Sequence, residues 1–192
     1  MDADGGSRRL SVDRRTALRI VAVAVAVAAI VFGVLALTGD DDEAADDTVE
    51  VTGPAGSDFK IAQPDGWTQV PDDEREGLPG SPLAVLRREA GQGIVIVNAP
   101  SGTERDLDKV SKKLDEQLEK ALPDFRKVGA RVVEVEAGPG LLYSYVRTRR
   151  ATAHTTLVVP TDDRTYTLNA VVPAGADDAA REVGRILFSF DL

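Results

Sequence analysis

The sequence predicts an α+β fold in which an antiparallel sheet is covered by two helices, with one transmembrane helix ahead of the domain. Three observations predict it: an uncharged apolar run near the amino end, several short alternating runs joined by turn residues, and two stretches with apolar residues at helical spacing. Short connections favour antiparallel pairing of neighbouring strands, and each amphipathic helix has to cover apolar sheet surface.

The apolar run 20–37 (IVAVAVAVAAIVFGVLAL) is the first element, and it predicts a transmembrane helix at residues 20–38. Eighteen helical residues span roughly 27 Å at about 1.5 Å each, which is close to the ~30 Å of bilayer hydrocarbon. The competing interpretation is a cleaved signal peptide, whose apolar region normally has about 7 to 15 residues. The length of the run therefore favours an uncleaved anchor.

The charges on either side of this run predict its orientation. The tail 1–19 holds five arginines, whereas four acids follow the run directly: Asp40, Asp41, Asp42 and Glu43. The arginine-bearing side of such a helix stays in the cytoplasm. The sequence thus predicts a single-pass protein of the cell membrane, with a cytoplasmic amino terminus and the carboxyl-terminal domain outside. The lipid bilayer is its first predicted partner.

Residues 39–56 are predicted to be an acidic, disordered spacer, followed by an extracytoplasmic α+β domain at 57–192. The spacer carries seven acids and no base, so self-repulsion favours an extended chain. It lacks the glycine turn and final glutamate of a calcium-binding EF-hand loop, and no metal is predicted. The net charge of −9 argues against a nucleic-acid partner, and the lack of cysteine removes disulfides, thiolate metal sites and cysteine nucleophiles.

Within the domain the predicted order of elements is β-β-β-α-β-β-β-β-α. The strands are expected at 59–62, 83–88, 93–99, 127–136, 141–148, 154–159 and 165–172, and the helices at 106–122 and 177–188. Thr103 and Asp106 resemble a capping box at the start of the first helix, and Pro123 ends it. Residues 71–82 are predicted to be a polar loop.

Two residues are predicted to lie in the core. Pro64-Asp65-Gly66 has the chemistry of a tight turn, which would return the chain inward at Trp67. Ile96 lies in the middle of the run IVIVN, whose apolar residues on both faces predict a central strand.

The order of elements, the early pattern Phe-x-Ile-x-x-Pro-Asp-Gly-Trp at 59–67 and the closing helix before Ser189-Phe190 together resemble the PsbP-like α/β/α sandwich superfamily. Within it, residues 57–192 are most similar to the LpqN-like actinobacterial cell-envelope proteins. The resemblance implies a non-enzymatic binding or assembly factor, with no cofactor and no functional residues to carry over. This chain departs from the lipoprotein members because it has no cysteine to acylate, so the membrane helix would take over the anchoring.

No catalytic, cofactor-binding or metal-binding residue is predicted. His154 is the single histidine, which excludes a multi-histidine metal site. Two roles remain for it: a lone general base, or a strand histidine that is hydrogen-bonded or faces solvent. Four acids crowd one loop: Asp72, Asp73, Glu74 and Glu76. Paired carboxylates can serve glycoside hydrolysis, but nothing in the sequence fixes their separation or buries one of them, so solvated loop carboxylates are expected.

One strand predicts a ligand or partner surface. At a period of two, a single face of the strand holds Tyr143, Tyr145, Arg147 and Arg149. Aromatic and arginine side chains are enriched in binding surfaces, and this set could hold an anionic ligand. The alternative is that the tyrosines pack on a helix and the arginines end the strand in water.

The predicted function is a membrane-anchored extracytoplasmic binding or assembly module of the cell envelope, non-enzymatic, whose partner is another envelope protein or an anionic envelope ligand. The alternative is a sensory or regulatory single-pass membrane protein. It is weakened by the tail, because 19 residues are too few to fold into a partner-binding domain. An envelope hydrolase is the third reading.

Overall fold

The computed structural model describes residues 49–53, 57, 59–76, 78, 80–89, 92–100, 102 and 104–192. The predicted tail, the predicted membrane helix and most of the predicted spacer lie outside these residues. No helix among the described residues is long and apolar enough to cross a membrane. The elements are β1 Val49–Thr52, β2 Lys60–Gln63, β3 Trp67–Gln69, α1 Asp72–Arg75, β4 Ala84–Arg88, β5 Ile94–Asn98, α2 Leu107–Ala121, β6 Phe125–Val135, β7 Gly138–Arg147, β8 Thr152–Pro160, β9 Thr165–Pro173 and α3 Asp177–Phe188.

Seven strands form one antiparallel sheet in the order β3-β4-β5-β9-β8-β7-β6, and β1 pairs with β2 in a separate two-stranded ribbon. The strands β6 to β9 follow one another as long hairpins, because only short turns connect them. Strand β9 then pairs with β5, from Ile94 opposite Val171 to Asn98 opposite Thr167. This pairing joins the two parts of the sheet and puts β5, β9 and β8 at its centre.

Helix α3 covers the first face of the sheet. Its buried residues pack with alternate strand residues into the main core, which includes Val95, Val97, Leu142, Leu168 and Ile186. All buried members of this core lie between Val51 and Phe190. The described part of the chain therefore contains its own hydrophobic core, as a domain that folds on its own requires.

Helix α2 lies on the opposite face, over β6 and β7. Along the strands, the residues that alternate with those of the main core point to this face. They form a second cluster of Phe125, Leu141, Tyr143 and Val158. The α2 leucines only partly bury themselves against this cluster, and no residue of α2 is fully buried. The α+β sandwich with one helix on each face is as predicted, whereas the second face is covered only along one side.

The predicted boundary at residue 57 is wrong. Val49–Thr52, assigned to the disordered spacer, is a strand paired with β2, from Val49 opposite Gln63 to Thr52 opposite Lys60. Val51 is buried in the main core. The alternation of Val-Glu-Val-Thr was not recognised as a strand because the surrounding segment is acidic. The domain begins by residue 49.

Three smaller predictions are also corrected. The loop 71–82 contains the short helix α1, whose Arg75 is buried and donates to the carbonyl oxygen of Leu83. Asp106 is itself the N-cap of α2 and accepts from the Lys109 backbone N–H at 3.1 Å, while Thr103 lies outside the described residues.

Ile96 is only half-buried, because it lies on the second face beyond the strands that α2 covers. Trp67 is in the core as predicted, with 2% of its surface exposed.

Candidate functional site

The part of the second face that α2 leaves uncovered is the first component of the candidate site. We call it the sheet floor, and its residues are Ile94, Ile96, Thr156, Asn169 and Val171. The register places Ile96 opposite Asn169 and Asn169 opposite Thr156, in one row across three strands. All five are half-buried, whereas their chain neighbours on the first face are buried. The floor therefore offers apolar and neutral polar side chains at the centre of the sheet.

A histidine and a tyrosine lie at the α2 side of this floor. His154 is opposite Val171 on one strand and opposite Tyr145 on the other. The rings of His154 and Tyr145 stack, with centroids 4.5 Å apart and planes inclined by 14°. The Nε2 atom of His154 is 2.9 Å from the hydroxyl of Thr152. The strand histidine is therefore stacked and hydrogen-bonded, as one of the sequence alternatives expected.

The protonation state of His154 limits its chemistry. Burial, followed by the nearby guanidinium groups of Arg147 and Arg150, lowers the pKa of His154 to about 4, and Asp124 offsets this only in part. The imidazole is then neutral at physiological pH, with one ring nitrogen as a donor and the other as an acceptor. A general base works best with a pKa near the operating pH, so His154 is suited to hydrogen bonding rather than to proton abstraction.

The second component is the turn after β7, which we call the arginine turn and define as residues 147–150. The carboxylate of Asp124 accepts from Arg147 Nη2 at 2.7 Å, from Arg147 Nε at 3.1 Å and from the Arg149 backbone N–H at 3.2 Å. The side chain of Asp124 is only 2% exposed, and the hydrogen bonds from Arg147 hold its pKa below the ordinary value. Through these hydrogen bonds Asp124 holds both the side chain of Arg147 and the backbone of the arginine turn.

The conformation of this turn is specific. The backbone N–H of Thr148 also donates to the carbonyl oxygen of Asp124, at 3.1 Å, and Ala151 closes the turn with a φ of 50°. A positive φ is uncommon in a residue with a Cβ, and the surrounding contacts have to maintain it. The side chains of Arg149 and Arg150 project from this turn and are exposed.

The predicted surface of Tyr143, Tyr145, Arg147 and Arg149 is not present as a set. Tyr143 is fully buried under α2, where its hydroxyl donates to Asp115, and it cannot contact a ligand. Lys127 donates to the same carboxylate at 2.7 Å. Arg147 is largely buried against Asp124, so that only Arg149 of the four is fully exposed.

The sheet floor, Asp124 and Arg150 were not predicted from the sequence. Period-two alternation identifies which residues of a strand share a face, and it correctly grouped Tyr145 with Arg147. It does not show which strands a helix covers. The position of α2 is what buries Tyr143 and leaves Ile96 partly accessible. Arg150 followed directly in the sequence, but it belongs to the turn rather than to the strand.

The four acids of the loop 71–82 are exposed to solvent. Asp72, Asp73 and Glu74 are exposed residues of the short helix α1, and Asp72 is 2.9 Å from Arg75. No group of three or more metal-ligating side chains comes together within the described residues. A solvent-open cavity of about 400 Å³ lies elsewhere, beside the β1-β2 ribbon, where the Lys60 ammonium and the Glu50 carboxylate are 3.2 Å apart.

Comparison with known proteins identifies the fold. No family model and no curated protein matches the chain. The solution structure of cyanobacterial PsbP (CyanoP) from Synechocystis is similar at a TM-score of 0.51 and 13% identity, over 80% of this chain and 98% of that one. A variant of the protein Mog1 also gives a TM-score of 0.51 at 13% identity, over 76% of this chain and 95% of that one. The described domain therefore has the PsbP-like fold, and identities this low say nothing about its activity.

A third solved structure is LpqN of Mycobacterium tuberculosis, described as involved in cell envelope biogenesis. It is 19% identical over 74% of this chain and 88% of that one, with a TM-score of 0.47.

Proposed function

We propose that this chain is a membrane-anchored extracytoplasmic binding or assembly module of the cell envelope, and that it is not an enzyme. The anchoring is supported by the apolar run 20–37, with arginines before it and acids after it. The amino terminus is then cytoplasmic, and the PsbP-like domain lies outside the membrane.

The observation that carries the binding role is the uncovered sheet floor. Ile94, Ile96 and Val171 lie on central strands, where a second helix would normally bury them, yet they are only half-buried beside α2. Contiguous exposed apolar surface on a folded domain is typical of an interaction site. The arginine turn adds exposed positive charge at the edge of this surface.

Three buried or half-buried carboxylates, on the two faces of the sheet, favour binding over catalysis. Asp124 is engaged by Arg147, and Asp115 by Lys127 and Tyr143. On the other face, Glu182 is engaged by Arg88. A catalytic carboxylate or histidine needs a pKa tuned to its task, whereas these carboxylates have lowered pKa values and His154 is neutral.

Proximity labelling from the outer domain in its native membrane tests this function. Ile96→Glu places a charge on the sheet floor, and Lys112→Glu places one on the exposed side of α2 as a matched control. We expect Ile96→Glu to remove specific envelope components from the labelled set, and Lys112→Glu to leave the set unchanged. A labelled set that is the same in both variants and the unsubstituted chain would contradict a binding role for the floor.

A further inference from the structure

We propose that the arginine turn and the adjoining sheet floor form a site for an anionic amphiphile, with the acidic head group at Arg150, His154 and Tyr145 and the apolar body over Val171 and Ile94. This inference rests on the proposed binding function and names the chemical class of the ligand.

The head-group end of the site has available hydrogen-bond donors. Among the described residues, neither the Tyr145 hydroxyl nor the Arg150 guanidinium takes part in a hydrogen bond or an ion pair. Arg147 gives Nε and Nη2 to Asp124, which leaves Nη1 available. The Nδ1 atom of neutral His154 can donate when Nε2 accepts from Thr152. Guanidinium and phenol groups together suit a carboxylate or phosphate.

These donors lie close together and are held in place. The Tyr145 ring stacks on His154. The Phe125 ring also packs against Tyr145, with 5.3 Å between the centroids. The register places Arg147 opposite Thr152, whose hydroxyl is 2.9 Å from His154 Nε2, and Arg150 precedes Thr152 by two residues in the turn. Asp124 supplies one carboxylate against three arginines of the turn, so the region keeps a positive charge.

The apolar end follows in the same row of the sheet. From His154 the register leads to Val171 on β9 and then to Ile94 on β5, and both are only half-buried. Two strand spacings correspond to roughly 10 Å, so an apolar body of that length would lie across both residues. The row continues to Arg87, an exposed residue of β4 opposite Ile94.

The test uses the fragment 49–192, which contains the whole core, and octyl phosphate below its critical micelle concentration. Octyl glucoside has the same tail with a neutral head, and inorganic phosphate is the head alone. Binding is measured by calorimetry and by the imidazole NMR signals of His154, which is the only histidine of the chain. We expect octyl phosphate to bind at least tenfold more tightly than either control and to shift the His154 signals.

Substitutions then locate the site. Arg150→Ser should weaken octyl phosphate binding at least tenfold, and Lys112→Ser should leave it unchanged. Equal binding of octyl glucoside, no effect of Arg150→Ser, or tighter binding of a hexa-aspartate peptide would each overturn the proposal. If octyl phosphate does not bind while Ile96→Glu still removes envelope components in cells, the ligand class is wrong and the binding function stands.

Discussion

The indole nitrogen of Trp67 donates to Glu182 Oε2 at 2.7 Å, which joins the start of β3 to the middle of α3. Arg88 binds the same carboxylate through Nε at 2.7 Å and Nη2 at 3.0 Å. The hydrogen bond from Arg88 is the main reason that the pKa of Glu182 lies below its ordinary value. Trp67 therefore contributes both apolar volume and a charge-assisted hydrogen bond to the main core.

Two substitutions of Trp67 separate these contributions. Trp67→Ala should lower the free energy of unfolding by about 3 to 5 kcal/mol, because it leaves a large cavity in the core. Trp67→Phe keeps most of the volume and should cost about 1.5 to 3 kcal/mol, since a hydrogen bond to a charged group is lost. Urea denaturation of the fragment 49–192 measures both. An unchanged free energy of unfolding in Trp67→Phe would show that the hydrogen bond to Glu182 contributes nothing.

The single histidine allows a direct measurement of burial on the second face. We expect His154 to titrate with a midpoint of about 4 in the folded domain, against about 6.5 when unfolded. Because the folded pKa is the lower one, the neutral ring stabilises the fold above about pH 6.5. This contribution, at most about 3 kcal/mol, is lost as the pH falls toward 4.

NMR detection of the His154 imidazole gives the midpoint, and denaturation between pH 4 and 7 gives the stability. In His154→Gln, the part of the pH dependence that belongs to the histidine should disappear. A titration midpoint near 6.5 in the folded domain would contradict the burial and the influence of Arg147 and Arg150.

The arginines of the turn should differ in their effect on folding. Arg149 and Arg150 are exposed, so the double change to serine should alter stability by no more than about 0.5 kcal/mol. Arg147→Ser leaves the buried carboxylate of Asp124 without its guanidinium partner and should lower the Tm clearly. Thermal denaturation of both variants at pH 7 makes the comparison. The same Tm for both would show that the pair of Asp124 and Arg147 does not hold the turn.

Protease treatment of intact cells tests the topology. We expect cleavage between residues 39 and 48 and release of a compact fragment that begins before Val49, since β1 belongs to the fold. The released fragment should unfold cooperatively, as a domain with its own core does. A full-length chain recovered from the cytosol, or a mature amino terminus near Gly39, would rule out the anchor.

The sequence was informative where one local pattern determines the structure. Alternating residues predicted the hairpins from β6 to β9, helical spacing predicted α2 and α3, and the Pro64-Asp65-Gly66 turn correctly predicted a buried Trp67. Lateral placement of a helix on a sheet is a tertiary property without such a pattern. For this reason Tyr143 was predicted to be on the surface and Ile96 in the core, whereas the structure buries Tyr143 fully and Ile96 only in part.

Site-specific photocrosslinking in intact cells shows whether the uncovered sheet floor is the binding surface of the proposed membrane-anchored module. A photoreactive side chain at Ile96 lies on the floor, and the same side chain at the exposed Lys112 serves as control. We expect a discrete crosslinked product from residue 96, formed only in the membrane fraction, and none from residue 112. No product from residue 96, or the same products from both positions, would contradict this binding role.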